Sequence, residues 1–171
     1  MSQAARMSVG IVVERRRTGN EWQPERWRAV DVLPGRPEAA PWTPLGRGEG
    51  WKRFYAGAAE IELYPGETEG YRDNLASGRP LVFVILRPVA SAPGIELHAA
   101  TVDPGEAEAH AEVGDDLVEP LPMPEAVTAW VADFVARHHV ERPFHKRRRD
   151  PADPEALARR ARVPEPEGWD G

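Results

Sequence analysis

Proline punctuates this chain so often that it limits how long any element can run. Eighteen of the 171 residues are proline, about twice the usual share of roughly 5%. Each one fixes φ and removes a backbone donor. The longest uninterrupted apolar run, Leu81 to Leu86, is bounded by Pro80 and Pro88. It suits a buried central strand and falls far below the roughly 20 residues that a bilayer helix needs. The expectation is a domain of short elements joined by long loops.

Periodicity fills in those elements. Val9, Ile11 and Val13 alternate at period two, which predicts a strand over Val9–Glu14. Further strands are predicted over Arg26–Leu33, over 51–64 and over Ile95–Val102. In 51–64 the pattern places Tyr55, Ala59, Ile61 and Leu63 on one face. Pro34 to Gly50 reads as a loop anchored by Trp42 and Leu45. Two short helices are predicted, one over Glu67–Ser77 stopped by Gly78, and one after Asp103-Pro104-Gly105-Glu106. In the latter, Asp103 caps and Glu106 completes a capping-box-like pair. The long helix starts at Pro124 and runs to about Val140. Val127, Trp130, Val131, Phe134 and Val135 form one apolar stripe along it.

These elements predict an α+β domain over residues 8–141. Its expected architecture is a mainly antiparallel sheet of about five strands, with one long and two short helices packed on one side. A small, partly open barrel is the alternative. Residues 142–171 read as a basic, proline-rich C-terminal tail.

Charge is uneven along the chain. Residues 1–53 carry a balance of +4, residues 54–141 of −12 and residues 142–171 of +2. The acidic middle argues against general nucleic-acid binding, which needs a basic surface to displace counterions. There is no cysteine, so thiolate nucleophiles, disulfides and Cys-ligated metals are excluded. Met1–Ser8 is polar and lacks the apolar stretch of a signal peptide, so a cytoplasmic protein without membrane contact is expected.

No catalytic constellation emerges. Gly46-Arg47-Gly48-Glu49-Gly50 invites a phosphate-loop reading, but Trp51 stands where a third glycine belongs and no Lys-Ser/Thr follows. It reads as a flexible connection. His138 and His139 point about 100° apart on a helix, and His145 follows beyond Pro143. A metal set of His138, Glu141 and His145 is a minor alternative, and the reading assigns no catalytic, cofactor or metal residue. His138 is expected to border the core, with His139 and His145 facing solvent or capping the helix end. Phe144-His145-Lys146-Arg147-Arg148-Arg149 is a basic run just after the domain. Trp22, Trp42 and Trp169 lie in loops or tail, where tryptophan serves as an interface anchor.

Several strings taken together resemble a known family. They are Val9-Gly10-Ile11-Val12-Val13-Glu14-Arg15, Trp27-Arg28 with Val32-Leu33-Pro34-Gly35, Glu67-Thr68-Glu69 with Tyr71, Asn74-Leu75 and Ser77-Gly78, Pro122-Met123-Pro124, and His138-His139-Val140 through Lys146-Arg149. Together they resemble an uncharacterised bacterial family, domain of unknown function 3305, over nearly all of residues 8–149. Genes of that family tend to lie among those for formate dehydrogenase and related molybdenum enzymes. The resemblance therefore implies a non-catalytic accessory or assembly protein, with a formate dehydrogenase subunit as protein partner. The expected contact uses Trp42, His139, His145, Lys146, Arg147, Arg148 and Arg149. Two alternatives stand beside it. One is an enzyme or ligand carrier whose site assembles from His98, His138 and nearby carboxylates. The other is RNA binding through the basic tail.

Overall fold

A computed structural model describes residues 4–139. Seven strands fall into two antiparallel sheets. The first has the order β2-β1-β4-β3, from β1 (Ala5–Arg17), β2 (Glu25–Pro34), β3 (Thr43–Gly48) and β4 (Trp51–Leu63). The second has the order β6-β5-β7, from β5 (Leu81–Pro88), β6 (Ile95–Thr101) and β7 (Leu117–Pro122). Helices α1 (Thr68–Ala76), α2 (Pro104–Ala111) and α3 (Glu125–His138) complete the described fold. The expected α+β class holds, with seven strands in two sheets where about five in one were predicted.

The two sheets face each other over one core. Val9, Ile11, Val13, Ile61 and Leu63 from the first meet Val82, Val84, Leu86 and Ala100 from the second, with Val102 just past β6. β4 lies against β6 and β2 against β7. No hydrogen-bond ladder joins either pair among the described residues, so no barrel closes. The predicted apolar stripe of α3 enters this core: Val127, Val131 and Phe134 are buried, while Trp130 and Val135 pack at its margin. Phe134 meets Tyr71 of α1 edge-on, with ring centroids 6.2 Å apart. Burial pushes the Tyr71 phenol up to about 12, and its oxygen accepts from the Tyr64 N–H at 2.9 Å. α2 packs across β5, β6 and β7. The Asp103 carboxylate caps it by accepting from Gly105 N–H at 3.0 Å. Glu106 closes no capping box; it accepts from the Thr101 hydroxyl at 2.8 Å.

β1 runs straight through its sheet while its neighbours do not. Against β2 the register steps from Val12↔Asp31 to Val13↔Ala29, leaving Val30 extra. Against β4 it steps from Ile11↔Gly57 to Val12↔Tyr55, leaving Ala56 extra. Both neighbours thus bulge at the same level of β1. Beyond the bulge, Phe54 joins the margin of the core, and Tyr55 turns to the opposite face. There its ring edge lies about 3.0 Å from where a side chain on Gly10 would begin. The predicted placement of Tyr55 with Ile61 and Leu63 is corrected by this one inserted residue.

Candidate functional site

Past the bulges, the first sheet extends beyond the core and its chemistry changes. Arg15 stands opposite both Trp27 and Lys52, Arg17 opposite Glu25, and Arg47 opposite Lys52. Directly paired residues share a face, so Arg15, Arg17, Arg47 and Lys52 line one side of the sheet end. Trp27, Trp42 and Phe54 form the half-buried floor beside them, with ring centroids 5.7 to 6.0 Å apart. The Arg15 guanidinium lies 5.6 Å from the Trp27 ring and 5.5 Å from the Phe54 ring, and Lys52 Nζ lies 5.5 Å from Phe54. Cations over aromatic faces are attracted by the ring quadrupole, which orients them.

Trp42 belongs to this floor through an unusual backbone. Its φ of 71° lies in the left-handed region, uncommon for a bulky residue. Its N–H donates to the Tyr55 carbonyl, and the indole packs on Trp27 and Phe54. The strain is held by that packing. Trp42 therefore acts as a wall of the sheet end, whereas Leu45, its predicted companion anchor, is 53% exposed. Trp22 is 90% exposed.

The glycine cluster is corrected from a flexible connection to a hairpin. Gly46, Arg47 and Gly48 lie in β3, and Glu49-Gly50 turn into β4. Gly50 has a φ of 80°, which glycine adopts without steric cost. At Gly48 an added Cβ would sit 2.3 Å from Trp51 Nε1, so no other residue fits against that indole. The hairpin closes a pocket of about 180 Å³ lined by Arg15, Arg17, Arg47, Lys52, Trp51 and Glu25. Glu25 stands 3.8 Å from Arg15. Among the described residues no carboxylate pairs with Arg17, Arg47 or Lys52.

The opposite side of the same sheet end holds a buried acid. Glu14 is 2% exposed, with Arg16 at 3.0 Å and Arg53 at 3.5 Å. Across the molecule, an acidic cleft of about 410 Å³ opens between β4 and β6, with Glu60, Glu62, Tyr64, His98 and Glu106 in its walls. Glu62 accepts from the Tyr64 hydroxyl, which raises that phenol above its usual range. Arg6 lies 3.4 Å from the same carboxylate.

The histidines separate. His98 is the extra residue of a bulge in β6, and its ring meets His110 at 5.6 Å. His110 Nδ1 lies 3.2 Å from Asp116, which also accepts two bonds from Arg87 at 2.7 and 2.8 Å. These partners, Arg87 first, hold the Asp116 carboxyl well below the usual range. His138 stacks on Phe134 at 4.4 Å, so His98 and His138 do not meet. His139 ends α3 with Nδ1 3.0 Å from the Thr68 hydroxyl and Nε2 3.1 Å from Arg72. Trp42 and His139 occupy separate surfaces. His145 and Lys146, Arg147, Arg148 and Arg149 lie outside the described residues, as do Glu141 and Trp169. No group of three His, Asp or Glu side chains suited to a metal occurs among the described residues. No described helix is long and apolar enough to cross a membrane.

No curated protein and no solved structure matches the chain. A family model matches residues 8–148, from within β1 past α3 and into the basic run of the sequence. This chain belongs to the family described as protein of unknown function DUF3305.

Proposed function

We propose that this protein is a non-catalytic accessory or assembly protein that acts by protein–protein contact. Its partner in this reading is a subunit of a formate-dehydrogenase-type molybdoenzyme, which is what the family resemblance implies. One observation carries the contact mode: the cationic end of the first sheet, set on a floor of half-buried tryptophans. Arginine and tryptophan contribute disproportionately to interface energy, and a basic face steers an acidic partner into register. Arg15, Arg17, Arg47 and Lys52 present that face from three strands, and Trp42 anchors it.

The test is affinity capture from the native host under formate-dehydrogenase-inducing conditions, beside a deletion strain assayed for formate oxidation. A molybdoenzyme subunit should be captured, and the Arg17→Glu, Arg47→Glu double variant should capture about ten-fold less of it at low salt. The difference should narrow as salt rises. Unchanged formate oxidation in the deletion strain, with no enzyme subunit captured, would sink the reading.

A further inference from the structure

We infer that the hairpin pocket at the end of the first sheet is a binding site for a single phosphate dianion. The inference goes beyond partner docking, because a small anion needs no second protein. Four cations from three strands surround about 180 Å³, against one carboxylate, Glu25. Like charges repel, and holding Arg17, Arg47 and Lys52 together without a paired carboxylate is unfavourable until an anion enters. Three of the four cations are arginines, whose planar forks match phosphate oxygens two at a time.

Size and geometry narrow the class further. A water molecule's share of liquid volume is about 30 Å³, so the pocket has room for one phosphate with a few waters. Arg15 and Lys52 already cover Trp27 and Phe54, so those two rings are taken up by the protein's own cations and not offered to a base. Gly48 and Gly50 bring backbone to the pocket wall with no Cβ in the way. The glycine spacing that fails as a nucleotide loop thus serves an anion by another route: the hairpin presents Arg47 beside Lys52.

Calorimetric titration of the full chain at low salt tests this with inorganic phosphate and methyl phosphate. One equivalent should bind, shifting the Gly48 and Gly50 amide and Trp51 indole resonances. Arg47→Gln and Lys52→Gln should each weaken binding about ten-fold, the scale of a charged hydrogen bond. Arg137→Gln, which removes the same charge from a distant helix position paired with Asp133, should leave affinity unchanged. Tighter binding of methyl phosphate assigns the site to an esterified phosphate, and the reverse assigns it to the free ion. Absence of saturable binding overturns the inference. So does equal loss in Arg137→Gln, or tighter binding of tetraglutamate or of an oligonucleotide lacking terminal phosphates.

Discussion

The two ends of β4 differ in sign. Lys52 and Arg53 stand at one end, and Glu60 and Glu62 at the other. At the acidic end Glu62 is answered within the protein by Arg6 and Tyr64, Glu106 across the cleft accepts from Thr101, and Glu60 is left to solvent with no ion pair among the described residues. At the basic end Glu14 satisfies Arg16 and Arg53 on one side only. On the other side, Arg17, Arg47 and Lys52 crowd a pocket without a matching acid. Charge density alone does not mark a site; unanswered charge does. The acidic cleft reads as a solved problem of solubility and edge protection, and the basic end as an open valence.

The largest expected effect tests whether both ends hang on one core. Phe134 is 1% exposed, and Phe134→Ala should cost about 3–5 kcal/mol. Thermal unfolding followed by tryptophan fluorescence reports chiefly the basic end, where Trp27, Trp42 and Trp51 sit. Circular dichroism reports the whole. Coincident transitions are expected in the variant; an earlier fluorescence transition would split the two ends into independent units.

A smaller effect uses Asp116, whose side chain is 3% exposed, as the fully answered extreme of the comparison. Its folded pKa is depressed below the unfolded value, so its stabilisation is present above about pH 3.9 and fades as pH falls toward the folded value. Asp116→Asn should therefore lower the melting midpoint at neutral pH, with the deficit shrinking in acid. A deficit that stays constant across the acid limb would trace to packing instead of charge.

The smallest pair of effects bears most directly on the contrast. Glu62→Gln removes a partnered charge and should destabilise by about 0–1 kcal/mol. Lys52→Gln removes an unanswered one and should stabilise by up to about 0.5 kcal/mol at low salt, an advantage screened away in higher salt. Matching losses in both variants would erase the distinction between the two ends.

Much of the fold is legible in the sequence because burial leaves a mark on it. α3 buries Val127, Val131 and Phe134 at helical spacing, while β1 and β5 bury continuous runs, Val9–Glu14 and Val84–Leu86, whose apolar content shows them. β3 does not. Only its first residue, Thr43, is partly buried and the rest are exposed, so its ladder to β4 is carried by backbone and leaves no apolar alternation to read. β7 hides behind Pro120 and Pro122, which look like breakers yet are tolerated on an edge strand. The candidate site was out of reach for a different reason. Arg15, Arg47 and Lys52 are neighbours only through antiparallel pairing across two hairpins, and no local spacing rule links them. Trp42 was visible as a loop aromatic, but its left-handed backbone and its place in the floor were not.

The matched bulges at Val30 and Ala56 have an evolutionary reading. Side-chain parity along a strand is a two-state variable, and an inserted residue toggles it. With Ala56 bulged, Lys52 and Phe54 share a face with Ile61 and Leu63. Paired without a bulge, the same sequence would turn Arg53 and Tyr55 to that face and deal the cationic cluster out to the wrong side. Deleting the Ala56 codon would straighten the strand and leave both ends paired with β1 as they are, so the extra residue carries the phase and no face of its own. Surface identity at that end is stored as an offset in phase, one residue wide, inside the sheet.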